Sequence, residues 1–154
     1  LDLHTYDARL RHALDMAQTE GLEYEFYCTS LPGAHPNTAI LELTGEKGGS
    51  CRVVGASIGG GNIIVTNING LEVQFTGQYN TLIVLHQDTP GVIAAVTNTM
   101  AYSGANIGNF RLSRPQKGGE AVMTIEVDGD VSDVMINWLR QLPHIINVVL
   151  VRAI

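Results

Sequence analysis

The chain has 154 residues, 45% of them hydrophobic, and nine Lys and Arg stand against fifteen Asp and Glu for a formal net charge of −6. This length buries one moderate core or two small ones, while an acidic balance without a basic block excludes a phosphate-backbone partner, so nucleic acid drops out. No apolar run reaches the roughly 20 residues of a membrane span and no secretory pattern opens the sequence, so the expectation is a soluble, intracellular protein with no membrane partner.

Leu1, not methionine, opens the chain and a helical pattern follows at once, which reads as part of something longer. Tyr6, Leu10, Ala13, Leu14 and Ala17 share one face of a first helix that Gly21 stops. Leu22, Tyr24 and Phe26 then alternate with Glu23, Glu25 and Tyr27, which predicts a half-buried strand over 22–29. After a loop over 30–36, the segments 38–44 and 51–57 alternate again and form a hairpin across the turn 45–49. Gly59, Gly60 and Gly61 break regularity before a strand at 62–68, and Asn69-Gly70 is a two-residue turn into 71–76. The first half, residues 1–77, is therefore helix plus antiparallel sheet.

The second half, residues 78–154, reads strand 81–85, helix 91–103, strand 107–113, strand 121–127, helix 131–142, strand 145–151. That order is β-α-β-β-α-β, a ferredoxin-like arrangement, and the fold class is α+β. Val131, Val134, Met135, Trp138, Leu139 and Leu142 make one apolar helix face, with Trp138 in the core. Pro115 to Gly119 makes a mobile turn. A sheet with helices on one face must hide its other face or its edges, so self-association as a dimer is expected.

Chemistry concentrates at His86-Gln-Asp-Thr-Pro-Gly-Val-Ile93, where a strand ends and a helix begins. With Thr89 as N-cap and Pro90 at the first helical position, Gly91, Val92 and Ile93 present N–H groups without intrahelical partners, a small anion site. Those amides suit the carboxylate of an amino acid and Asp88 suits its ammonium; equally, Asp88 and Thr89 serve as a plain helix cap. His86 reads as a strand-end residue beside that turn. Asn106 both donates and accepts, which suits a zwitterion, or else it closes the turn after Gly104. His35 and Asn37 flank Pro36, which fixes an extended loop that either contacts a small polar ligand or another chain or is merely structural. Gly59 to Gly61 form either a surface for close backbone approach or a sharp bend, and no Lys and Ser/Thr pair follows them to make a phosphate loop.

Asp88-Thr-Pro-Gly-Val-Ile93 followed by Ser103-Gly-Ala-Asn106-Ile107 resembles an ACT domain, a small ferredoxin-like module that binds amino acids. The resemblance implies paired copies, with the ligand between Asp88, Thr89, Pro90, Gly91, Val92 and Ile93 of one and Asn106 of the other. His35-Pro-Asn-Thr38 and Ser57-Ile-Gly-Gly-Gly-Asn62 ahead of such a domain resemble the beta chain of bacterial iron-sulfur L-serine dehydratase, nearly end to end. In that family an allosteric-substrate-binding-type domain precedes the ACT domain.

The implied enzyme eliminates water from L-serine to give aminoacrylate, then pyruvate and ammonia, with a four-iron cluster (4Fe-4S) as Lewis acid ligated by the alpha chain. This chain would then be a cytoplasmic regulatory and structural subunit that binds an amino acid, L-serine by expectation. His35, Asn37, Thr38, Ser57, Gly59, Gly60 and Gly61 would contact ligand or alpha chain. Cys28 and Cys51 are far apart and too few for a cluster, so reduced thiols, no metal, no cofactor and no catalytic residue are expected here, and the fragment alone should be inactive. The family's serine-rich segment with a histidine, upstream of the first helix, is missing, so the first domain reads as partial. The rival resemblances are the regulatory tail of D-3-phosphoglycerate dehydrogenase and a free-standing amino-acid sensor.

Overall fold

The computed structural model of the chain describes residues 3, 6–46 and 48–153. The chain divides into two compact units, one ending at Ala34 and the other spanning His35–Ala153. In the first unit a 3-10 turn, Ala8–His12, runs into helix α1, Ala13–Thr19. The Asp7 carboxylate accepts from the Arg9 amide at 2.8 Å to cap the 3-10 turn, and Gly21 ends the helix at φ 77°. Of the apolar stripe expected to be its core face, Ala17 is buried whereas Tyr6, Leu10 and Leu14 are exposed. Residues 22–29 form no strand, contrary to their alternation, and Leu22, Phe26 and Tyr27 lie exposed. Alternation prepares a strand, but only a neighbouring edge to share ladder bonds makes one, and none pairs with this segment among the described residues.

The second unit holds two antiparallel four-stranded sheets. The first sheet is β1 (Thr38–Thr44), β2 (Ser50–Gly59), β3 (Asn62–Ile68) and β4 (Leu71–Phe75), in that order. Thr44 pairs with Ser50 across the expected turn 45–49, of which Lys47 lies outside the described residues. Asn69 and Gly70 both take positive φ, 51° and 85°, as a two-residue hairpin with matching twist requires.

The second sheet is β5 (Asn80–Gln87), β6 (Asn106–Ser113), β7 (Glu120–Asp128) and β8 (Ile145–Val151), ordered β6-β7-β5-β8, with helices α2 (Val92–Tyr102) and α3 (Asp133–Gln141) on one face. This is the βαββαβ arrangement read from the element order. Period-two alternation divides its strands cleanly: Leu82, Val84, Met123, Ile125 and Val127 join Val96, Met100, Met135 and Leu139 in the helix-side core. Ile83 and Val122 point the other way and pack with Val73 and Phe75 of β4. The face opposite the helices is thus covered in part by the chain's own first sheet, so that face no longer calls for a second copy. On α3, Ser132 caps the Met135 amide at 3.2 Å. Met135, Ile136 and Leu139 are buried, but Trp138, expected in the core, is 50% exposed, and Val134 is exposed beside it. At the outer edge of the sheet, Arg140 donates to the β8 carbonyl of Val148 at 3.0 Å.

Candidate functional site

Strand β5 delivers the turn 86–91 to the start of α2, and the cap differs from the one the sequence suggests. Gly91, at φ 90°, is the N-cap, and neither Thr89 nor Pro90 lies in the helix. Only glycine takes that left-handed conformation without cost, so the chain swings there and the helix starts later than a Thr-Pro cap would set it. The Ala95 amide closes on the Gly91 carbonyl at 2.9 Å and the Val92 amide leans on Thr89 at 3.4 Å. Gly91, Ile93 and Ala94 keep amides without a backbone acceptor among the described residues, so of the expected Gly91 to Ile93 set only Val92 is engaged and Ala94 joins the others.

Two buried polar atoms face no partner at this turn. His86 is 1% exposed, and its Nδ1 lies 2.9 Å from the Gln87 carbonyl. A carbonyl only accepts, so Nδ1 carries the proton and Nε2 is left as an acceptor. Both that Nε2 and the Thr89 hydroxyl are buried without a hydrogen bond among the described residues. Unsatisfied buried polar atoms are rare enough to mark a place where a polar group is wanted.

Asp88 is held firmly. Its Oδ2 accepts from Arg114 at 2.9 Å and from the Gly118 amide at 3.0 Å, and its own amide donates to Gly119 at 2.8 Å. The Gln87 side-chain amide adds a bond to the Gly118 carbonyl. The β6–β7 turn, expected to be mobile, is therefore strapped to the β5–α2 turn. Sequence reading missed Arg114 and Gly118 because the bonds span 26 and 30 residues and carry no local pattern. The Gly118 amide, then Arg114, hold the Asp88 carboxyl below the usual aspartate range. A carboxyl whose folded pKa is depressed contributes stability that is complete above its unfolded value and is lost as pH falls through the folded value. Acidification through that lowered folded value, below the ordinary aspartate range, should open this clasp. The Gly118 amide resonance, followed by NMR, should move with that titration in the native chain and stay still in Asp88→Asn.

Asn106 opens β6 beyond the far end of α2, and its amide donates to Asp128 at 2.6 Å. Eleven helical residues separate it from the turn, about 16 Å at 1.5 Å per residue, so Asn106 and Asp88 of one chain do not meet.

The other motif pair does converge, at one end of the first sheet. Thr38 pairs with Ala56, the Ser57 amide donates to Asn37 at 3.0 Å, His35 Nδ1 accepts from the Asn37 amide at 3.2 Å, and Thr38 Oγ1 donates to the His35 carbonyl at 2.6 Å. Gly59, Gly60 and Gly61, all at positive φ, turn the neighbouring hairpin, and Asn62 reaches back to the Gly59 carbonyl at 3.3 Å. His35, Asn37, Ser57 and the glycines, all exposed, thus form one patch with the half-buried Thr38.

Cys28 is exposed in the first unit and Cys51 is half-buried in β2, both free. No three His, Cys, Asp or Glu side chains gather for a metal among the described residues, and two separate thiols do not fit a four-iron cluster, which takes a close set of thiolates. No helix among those residues is long and apolar enough to cross a membrane.

Comparison with known proteins adds four likenesses. A family described as "AHAS small subunit-like ACT domain" matches residues 82–149, from β5 into β8. The probable L-serine dehydratase beta chain of Bacillus subtilis (strain 168) is 38% identical over 148 residues, 96% of this chain and 67% of that protein. The L-serine dehydratase beta chain of Peptoniphilus asaccharolyticus is 30% identical over 82% of this chain and 58% of its own length. The D-3-phosphoglycerate dehydrogenase of Bacillus subtilis (strain 168) is 26% identical over 88% of this chain but only 26% of that protein. The chain therefore spans about two thirds or less of the relatives it matches.

Proposed function

Because the chain belongs to the family of L-serine dehydratase beta chains, we propose that it is the regulatory and structural subunit of a cytoplasmic enzyme turning L-serine into pyruvate and ammonia. The observation that carries the regulatory part is the β5–α2 turn, whose residues 86–94 carry amides, a hydroxyl and an imidazole nitrogen without a hydrogen bond among the described residues, together with a fixed carboxylate. L-Serine supplies the matching groups. Its carboxylate suits the Ile93 and Ala94 amides, its ammonium suits Asp88 Oδ1, and its hydroxyl suits Thr89 and His86 Nε2. Asp88 Oδ2 is already anchored, so the carboxylate is oriented before a ligand arrives. Asn106 would complete the site only from a second copy, which supports a homodimer in which each chain finishes the other's site.

The catalytic alpha chain would carry the 4Fe-4S cluster, a Lewis acid for the serine hydroxyl. That division is supported by the donor set, two cysteines in the sequence and no gathering of three metal-binding side chains among the described residues, so no step of the elimination is routed through this chain. The patch of His35, Asn37, Thr38, Ser57 and Gly59 to Gly61 is the proposed alpha-chain contact: fixed backbone bends and outward polar groups suit a protein surface. The likeness to D-3-phosphoglycerate dehydrogenase favours one second reading, an amino-acid-binding regulatory tail, in which the same turn senses serine for a different enzyme.

Purification from the source cells, through a tag on the full gene product, separates the two. A distinct second polypeptide with iron-sulfur absorption and pyruvate formation from L-serine is the expected result. A single longer polypeptide with nucleotide-dependent oxidation, or no partner at all, would sink it. The 154-residue chain alone, supplied with iron, sulfide and L-serine, should form no pyruvate.

A further inference from the structure

Where the outer edge of β4 meets β6, between the two sheets of the second unit, lies a cleft of about 520 Å3 that none of residues 86–93 lines. That volume is in the range of small-molecule sites. Phe75, buried, and Tyr79, half-exposed, give it an apolar wall, whereas Phe110 borders it from a position whose partner, Ile125, faces the helices. Two opposite charges enter it from the same face of the second sheet. Asn109 pairs with Glu126 and Arg111 with Thr124, so Arg111 and Glu126 are diagonal neighbours with backbones about 7–8 Å apart.

These two charges do not neutralise one another: among the described residues Arg111 pairs instead with Glu72, across a long 3.3 Å contact between exposed side chains. Arg111 also donates to Gln74, which leaves further N–H groups of its fork for a ligand. Glu126 accepts from Asn109 at 3.0 Å through Oε2, and its other oxygen has no hydrogen bond among the described residues. A guanidinium and a carboxylate set apart on one wall, beside aromatic rings, ask for a ligand that carries an anion, a cation and an apolar body together.

We propose that this cleft is a second amino-acid site, selective for a zwitterion with an aromatic or other apolar side chain. The ligand carboxylate takes Arg111 in place of Glu72, the ammonium takes Glu126, and the side chain lies against Phe75 and Tyr79. Occupancy would be felt at the glycine hairpin, because Gln78, also on the cleft wall, donates to Asn62 at 2.9 Å.

The test is calorimetry on the whole chain with L-phenylalanine, hydrocinnamate and phenethylamine. The amino acid should bind at least about tenfold more tightly than either analogue, each of which lacks one charged group. Glu126→Gln and Arg111→Gln should each weaken L-phenylalanine about tenfold or more, Glu72→Gln should strengthen it, and Asp88→Ala should leave it unchanged. Equal binding of L-phenylalanine and hydrocinnamate, unaltered binding by Glu126→Gln, or no binding at tens of millimolar would overturn the site. Loss in Asp88→Ala with retention in Glu126→Gln would move the ligand to the β5–α2 turn and also overturn it. Should Arg111→Gln fail to fold, the analogue series on the unaltered chain still decides.

Discussion

Phe75→Ala is expected to destabilise the chain by about 3–5 kcal/mol, read as a lower denaturant midpoint. Phe75 is 5% exposed at the end of β4 and packs with Val73, Ile83 and Val122, the residues that join the first sheet to the second. Truncation removes the transfer free energy of a buried ring and leaves a cavity that two stiff sheets cannot easily close. Sheet-to-sheet packing is the link at risk, so the variant should also lose the single cooperative transition before it loses the helix-side core. Trp138→Ala, which truncates a larger but half-exposed ring, should cost less than about 1 kcal/mol. A Phe75 variant as stable as the native chain would mean that the two sheets do not support each other.

Asp88→Ala is expected to lower L-serine affinity about ten- to a hundredfold, the loss of a charge-assisted hydrogen bond to an ammonium. The clasp adds a second effect. Without Oδ2, Arg114 and the Gly118 amide lose their acceptor, so hydrogen exchange at Gly118 should speed up while the amides of β5 and β7 stay protected. Asp88→Asn separates the contributions, since its amide oxygen can still accept from Gly118 while the charge that suits an ammonium is gone. Calorimetry that finds native chain and Asp88→Ala binding L-serine alike would reduce the turn to a clasp. A native chain that binds no amino acid would make the second half a scaffold for assembly.

Much of this was legible in residue order, and the failures have physical causes. The βαββαβ half could be read because its strands keep period two and its helices keep i, i+3, i+4 spacing against one sheet, so local pattern and tertiary burial agree. Trp138 was misread because Met135, Leu139 and Ile136 set the buried arc of α3; at 100° per residue Trp138 lies about 60° beyond the Met135 side of that arc and Val134 about 100° beyond it, both outside. Segment 22–29 has the alternation of a strand without a partner, and pairing is not a property of one segment. The β5–α2 turn was legible as a turn. Its cap was not, because Thr-Pro and Gly are competing starts and backbone freedom at Gly91 decided between them. The Asp88 clasp and the cleft pair Arg111 and Glu126 were invisible for a simpler reason: their meaning comes from residues brought together only by the sheet register.

The bond from Arg140 to the Val148 carbonyl has a consequence for the life of this chain at high concentration. Strand β8 reads Ile-Ile-Asn-Val-Val-Leu-Val at an open edge, a short, branched, uncharged stretch without proline, the composition from which fibrils grow. A fibril extends only if each incoming strand finds a row of vacant acceptors. Arg140 fills one of them and sets a positive charge beside the row, so the same edge that is sticky by composition is guarded by a single cation from the neighbouring helix.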